Sequence, residues 1–178
     1  MKKSILKLLS VILIASSLLC LLSSCKDEEE IDGYYVYGLH FDIGDGYNAI
    51  KVPYAENCYT NGESFFFFQV FSGEGIEETL GYAPDITVER YTQQFCLENK
   101  LDPYSYEYDS ERDITTLKYV YEYDKSDEGT AHLPPEFYYH MIMRGTAHLY
   151  IITMTCDEAL RETYEPKFDS WVENIYAD

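Results

Sequence analysis

From residue 34 onward the chain moves between two apolar rhythms, strict alternation and a three-to-four-residue recurrence. Residues 34–43 read as a first strand, closed by the turn signal Gly44-Asp45-Gly46. Residues 47–61 hold no clear period and are broken by Pro53 and by Asn61-Gly62. Residues 64–71 contain Phe65-Phe66-Phe67-Phe68, a run apolar on both faces that suits a central strand covered on both sides. Residues 72–81, rich in Gly and Glu, read as a loop. Val88, Tyr91 and Phe95 recur at helical spacing and predict a helix over 85–99, opened by Pro84-Asp85.

Four further strands follow. Tyr104-Ser105-Tyr106-Glu107-Tyr108 alternates strictly, residues 110–113 turn the chain, and residues 114–123 alternate again. A loop with Gly129 and Pro134-Pro135 leads to a strand over 137–144. Gly145-Thr146 fits a two-residue hairpin turn with glycine first, and residues 147–155 return, again apolar on both faces. The tail is helical. Asp157 caps a short turn, Pro166 suits a first helical position, and Phe168, Trp171, Val172 and Ile175 form one apolar stripe. Strands apolar on both faces need cover on both faces, so the expected fold is α+β, an antiparallel sheet between helical layers.

The first 33 residues follow neither rhythm. Lys2, Lys3 and Lys7 precede an apolar core over 8–22, and no acid appears before Asp27. This is the layout of a secretory signal peptide. The stretch is short and broken by serines, which argues against an uncleaved membrane span. Leu22-Ser23-Ser24-Cys25 resembles the bacterial lipobox, which implies cleavage before Cys25 and lipid on its sulfur and amino terminus. The expected organisation is a lipoprotein signal peptide over 1–24, an acidic tether over 25–33, and a single domain over 34–178. Two or more acyl chains hold a protein stably on a bilayer, so the expected location is the cell membrane or outer membrane, on the extracytoplasmic side.

Charge narrows the function classes. Residues 1–24 hold three of the 13 basic residues and no acid, so the remainder carries ten basic against 32 acidic residues, a net charge of −22. Such a surface repels nucleic-acid backbones and anionic headgroups alike, leaving the lipid on Cys25 as the membrane attachment. Cations and basic partners remain compatible, with the protein or small-molecule partner open. Aromatic residues make up 16% of the chain, enough for a core.

Chemistry-bearing residues are sparse in pattern. Beyond Cys25, Cys58, Cys96 and Cys156 permit at most one bridge and show no metal spacing, so buried free thiols are expected. The turn at Gly145-Thr146 sets His140 opposite Ile151 and sends His140 and His148 to opposite faces, where they cannot share a metal. Across the 110–113 turn, Ser105 opposes Lys118. Tyr104, Tyr106, Tyr108, Tyr119, Tyr121 and Tyr123 then share one face, either packed under a helix or open as an aromatic platform for a ligand. Acids at Asp42, Asp45, Glu74, Glu77 and Glu78 read as solvated loops. No P-loop, G-x-S-x-G or HExxH occurs, and no cofactor, metal or catalytic residue is expected.

Residues 137–178, with the step Tyr164-Glu165-Pro166-Lys167-Phe168, resemble the end of the PsbP family, and GLHFDIGDGYNAIKVP is similar to that family's opening strands. The resemblance implies an α/β/α sandwich and a non-enzymatic binding or assembly role, with no catalytic residues to carry over. The expected function is therefore a lipid-anchored, extracytoplasmic binding or accessory domain. The alternative is a cell-envelope enzyme whose cleft forms only in the folded chain.

Overall fold

The computed structural model describes residues 33–52, 55–126 and 129–178. The expected signal peptide, Cys25 and most of the expected acidic tether lie outside the described residues. Seven strands form one sheet in the order β3-β4-β5-β9-β8-β7-β6, every neighbouring pair antiparallel. They are β3 (Asn48–Val52), β4 (Ala55–Thr60), β5 (Ser64–Ser72), β6 (Ser105–Asp109), β7 (Ile114–Tyr121), β8 (Glu136–Arg144) and β9 (His148–Asp157). A second sheet joins β1 (Tyr34–Val36), β2 (Leu39–Phe41) and β10 (Tyr176–Ala177) in the order β1-β2-β10. The helices are α1 (Gly73–Gly75), running into a π turn over Ile76–Leu80, then α2 (Val88–Asn99) and α3 (Arg161–Asn174). The expected α+β class, an antiparallel sheet between helical layers, is the architecture observed.

One face of the large sheet is sealed. Phe66, Phe68, Phe137, Met141, Ile152 and Met154 pack there with Phe168 and Trp171 of α3 and with Leu39 and Phe41 of β2. The other face carries a smaller core, in which Val88 and Tyr91 of α2 and Ile76 of the π turn meet Leu117, Ile142, Leu149 and Ile151.

Several elements differ from the sequence expectation, each through a tertiary contact. The first strand is a hairpin, because Tyr37 (φ 53°) and Gly38 (φ 80°) both turn left-handed, the geometry of a two-residue hairpin loop. The Tyr150 hydroxyl donates to the Tyr37 carbonyl at 2.7 Å, tying this turn to the large sheet. The expected loop over 72–81 is helical: Ser72 Oγ accepts from Gly75 N–H at 3.1 Å, and Ile76 anchors the turn in the smaller core. The second helix begins at Val88 rather than Asp85, where Thr87 Oγ1 accepts from Arg90 N–H at 3.3 Å. The last helix begins at Arg161, so Pro166 lies inside it. There proline removes one backbone bond, the one to the Glu162 carbonyl. The extra turn is held by the buried Tyr164 and by Arg161 Nε, which donates to Glu165 at 2.9 Å. The buried stripe of this segment is Tyr164, Phe168, Trp171 and Ile175, with Val172 only partly buried at its margin.

The β8–β9 turn is offset by one residue. Gly145 N–H donates to the His148 carbonyl at 3.0 Å and Arg144 opposes Leu149, so Thr146 and Ala147 are the turn residues. Gly145 serves a close approach instead: a Cβ there would stand 2.8 Å from the Asp178 carbonyl oxygen and 3.0 Å from Ala177 Cβ.

Candidate functional site

Along β9 the residues on the α2 side run Leu149, Ile151, Thr153, Thr155, Asp157, while those on the sealed side run Tyr150, Ile152, Met154, Cys156. Opposite them, β8 runs Ile142, His140, Tyr138, Glu136 on the α2 side. This face therefore turns from apolar to polar toward the Glu136–Asp157 end. The π turn and α2 cover the apolar part. The expectation of two-sided cover holds along β9, buried from Leu149 to Cys156, and fails on β5 at the polar end. Phe66 is 0% exposed on the sealed side, whereas its neighbour Phe65, paired with Thr155, is 38% exposed.

A cleft of about 230 Å³ opens there, lined by Glu63, Phe65, Glu136, Thr155, Asp157 and Leu160 among others. Two of its carboxylates, Glu63 and Glu136, accept from tyrosines. Tyr164 donates to Glu63 Oε2 at 2.7 Å, and both Tyr123 (2.8 Å) and Tyr138 (2.7 Å) donate to Glu136 Oε2. Burial and the hydrogen bond to Glu136 push the Tyr123 phenol up to about 12. Burial, with the charges of Glu158, Asp157 and Glu136 behind it, pushes the Cys156 thiol, on the sealed side of the strand, up to about 12. That thiol stays protonated at neutral pH. Thr155 is 7% exposed, and among the described residues neither its hydroxyl nor the buried Glu158 Oε2 finds a hydrogen-bond partner.

Next along the same face, His140 is enclosed. Its Nε2 lies 2.9 Å from the Tyr119 hydroxyl and its Nδ1 2.9 Å from Thr153 Oγ1, while Tyr119 and Tyr138 stack on the ring at 5.5 and 5.8 Å. Burial lowers its pKa to about 4, so the ring is neutral, with both nitrogens engaged. His148 points to the opposite face, toward Tyr150, as the alternation required.

The tyrosine ladder has the expected register, with Ser105 opposite Lys118. It does not form one continuous surface. Tyr119 is buried in the smaller core, while Tyr106, Tyr108 and Tyr121 are exposed at its margin. Tyr104 departs from the shared face: a bend before β6 carries its ring under the Arg161 guanidinium at 4.3 Å, and its hydroxyl donates to Glu165 on α3 at 3.1 Å. Lys118 lies on the α3 side and donates to Glu165 and Asp169 at 3.2 and 2.6 Å.

Cys58, Cys96 and Cys156 are unbridged, and burial raises all three thiols. Among the described residues no group of three His, Cys, Asp or Glu side chains converges as metal ligands. Cys25, the expected lipid site, lies outside the described residues. Sequence reasoning missed the cleft; the available signal was Thr153 and Thr155 falling on one face of an otherwise apolar strand.

No family model and no curated protein matches the chain. Among solved structures it is similar to the Ran-binding protein Mog1p of Saccharomyces cerevisiae, at 10% identity and a TM-score of 0.54, over 82% of this chain and 93% of that one. A point mutant of Mog1 aligns at 10% identity and 0.51, over 85% and 96%. The solution structure of cyanobacterial PsbP from Synechocystis aligns at 11% identity and 0.49, over 87% and 99%. The likeness to Mog1 concerns the fold alone.

Proposed function

We propose that the chain is a lipid-anchored, extracytoplasmic binding domain without a catalytic centre, and that it receives its ligand at the Phe65–Thr155 cleft. The observation that carries this reading is the half-open Phe65 in a cleft on a sheet whose other face is sealed. A large apolar ring left open in a concave part of the surface is contact area for a ligand. The absence of catalysis is supported by the groups themselves. His140 is neutral with both nitrogens occupied, and the thiols are held protonated by burial. Mog1p, of the same fold, is described as a Ran-binding protein, which supports a binding role. The lipid anchor rests on Leu22-Ser23-Ser24-Cys25 behind a basic and apolar leader.

Two measurements test the two halves of this reading. Mass spectrometry of the mature amino terminus should find a diacylglyceryl group on Cys25, and Cys25→Ala should release the domain or leave an uncleaved precursor; an unmodified Cys25 removes the anchor. A photo-crosslinking amino acid at position 65 should trap a ligand that the same group at Tyr108 does not. Equal trapping at both positions would remove the cleft as the binding site.

A further inference from the structure

We infer that the outer face of the small β1-β2-β10 sheet rests on a zwitterionic bilayer surface, with the cleft turned away from it; this rests on the lipid anchor at Cys25. Tyr34, Val36, Leu39 and Phe41 pack into the larger core, so alternation sends Tyr35, His40 and Tyr176 to the outer face. The register sets them abreast, Tyr35 and Tyr176 each opposite His40. Their rings form one row, with neighbouring centroids 4.3 and 4.4 Å apart. Tyr35 and Tyr176 are 53% and 55% exposed, and Tyr37 at the hairpin turn is 59% exposed. Asp178 fixes the row: Tyr35 donates to its carboxylate at 2.9 Å, and His40 Nε2 lies 3.3 Å from it. Tyrosine joins an apolar ring to a polar tip, the combination enriched where a bilayer meets water. Arg112 donates to the Ile175 carbonyl, next to Tyr176, at 3.3 Å, which places a guanidinium at the edge of the row for a headgroup phosphate.

Chain length selects the occupant. Only ten residues separate Cys25 from Tyr35, a reach of at most about 35 Å. Lipid on Cys25 therefore keeps a bilayer within reach of the rings at all times, whereas a soluble partner has to find them by diffusion. Charge selects the headgroup, since the acid excess of the chain is repelled by anionic lipid. Topology sets the orientation. The row lies at the end of the large sheet where β8 turns into β9: Thr146 N–H donates to the Asp178 carbonyl at 2.6 Å, and Asp178 N–H to the Gly38 carbonyl at 2.9 Å. The cleft residues Glu136 and Asp157 pair at the other end of the same hairpin. The nine residues of β8 hold the two ends about 26 Å apart, at roughly 3.3 Å per residue. A bilayer under the rings leaves the cleft facing away from the membrane.

The test takes the full chain processed to its lipidated form, with the lipid on Cys25 checked first by mass spectrometry. The protein is placed in phosphatidylcholine bicelles that hold a lipid with a nitroxide on its headgroup, and backbone amides are read by NMR. The Tyr35, Tyr37 and Tyr176 amides should lose most of their intensity, while Phe65 and Asp157 keep theirs. Mixing phosphatidylglycerol into the bicelles should reduce the loss. Replacing Tyr37 and Tyr176 together by serine should even out the two ends, and Tyr37→Ser alone, at an exposed turn position, should do so in part without unfolding the domain. Leu97→Ser, which removes an apolar side chain 70% exposed on α2, should change nothing. Equal loss at both ends in the unsubstituted protein would show a domain swinging free on its tether and overturn the inference. Greater loss at Phe65 would turn the cleft to the membrane and overturn it as well. A contrast that survives both tyrosine variants, or that Leu97→Ser abolishes equally, would take the contact away from the row. An unmodified Cys25 removes the anchor and the inference with it, and the mass spectrum shows that failure before any bicelle is made.

Discussion

The two faces of the seven-stranded sheet are built from the same strands and meet different fates. On the α3 side, Tyr150, Ile152, Met154 and Cys156 of β9 face Phe137, Tyr139, Met141 and Met143 of β8, and all are buried. Their cover is long: a 14-residue helix plus the small β1-β2-β10 sheet. On the α2 side a 12-residue helix and the π turn cover part of the sheet, and the strands answer by becoming polar where the cover ends. The contrast is sharpest within one strand, where Phe66 is enclosed and Phe65 is open. The sealed face carries stability, and the half-covered face carries the cleft.

The largest test of this contrast replaces the two phenylalanines in turn. Phe66→Ala should cost roughly 3–5 kcal/mol, and Phe65→Ala about 1 kcal/mol or less, in urea denaturation followed by fluorescence. Equal losses would mean that Phe65 is core and the open face closed. Trp171→Ala, which strips the α3 cover, should also lie in the roughly 3–5 kcal/mol range, a large part of the 5–15 kcal/mol or so a domain has.

Next is the seal at the β8–β9 turn. Gly145→Ala drives a methyl group into the Asp178 carbonyl and Ala177. Overpacking of this kind costs about 1–3 kcal/mol. Hydrogen exchange at β2 and β10 should speed up while β6 and β7 hold. Uniform acceleration would show the small sheet to be no separate cover.

Then comes pH, which reads the covered part of the α2 face through His140. Its folded pKa is depressed to about 4 by burial, against about 6.5 in the unfolded chain. The unfolded state therefore gains a proton first, and stability falls as pH drops from 6.5 toward 4, by about 2 kcal/mol between pH 7 and 5. His140→Gln, which can still bond Tyr119 and Thr153, should remove that fall. A pH profile identical in both proteins would mean that the ring is accessible and the face open along its whole length. The smallest effect is expected from Glu173→Ala, on the exposed side of α3, within about 0.5 kcal/mol.

Much of the frame was legible. Strict alternation over 104–108 and 114–123 set the β6–β7 register, because a slip of one residue would have turned every tyrosine over. The same parity separated His140 from His148, even though the hairpin turn lies one residue further on than Gly145-Thr146 suggested. Tyr104 escaped this logic because an ion-paired helix, with Arg161 and Glu165, pulls it across. Pro166 was misleading for a related reason. A proline can sit inside a helix when side chains such as Tyr164 bury the turn before it.

The sequence by itself determined the α+β class, the antiparallel order of β6 to β9, and which residues of a strand share a face. It also determined the acid excess and the lipobox-like leader. These are local or compositional properties, carried by neighbours in the chain. Only the tertiary structure decided how much of each face is covered, and so that Phe65 is open and that Gly145 must lack a side chain. Cover is supplied by elements distant in sequence. Its extent depends on the length and position of a helix packed across the strands, which the period of the strand itself does not encode.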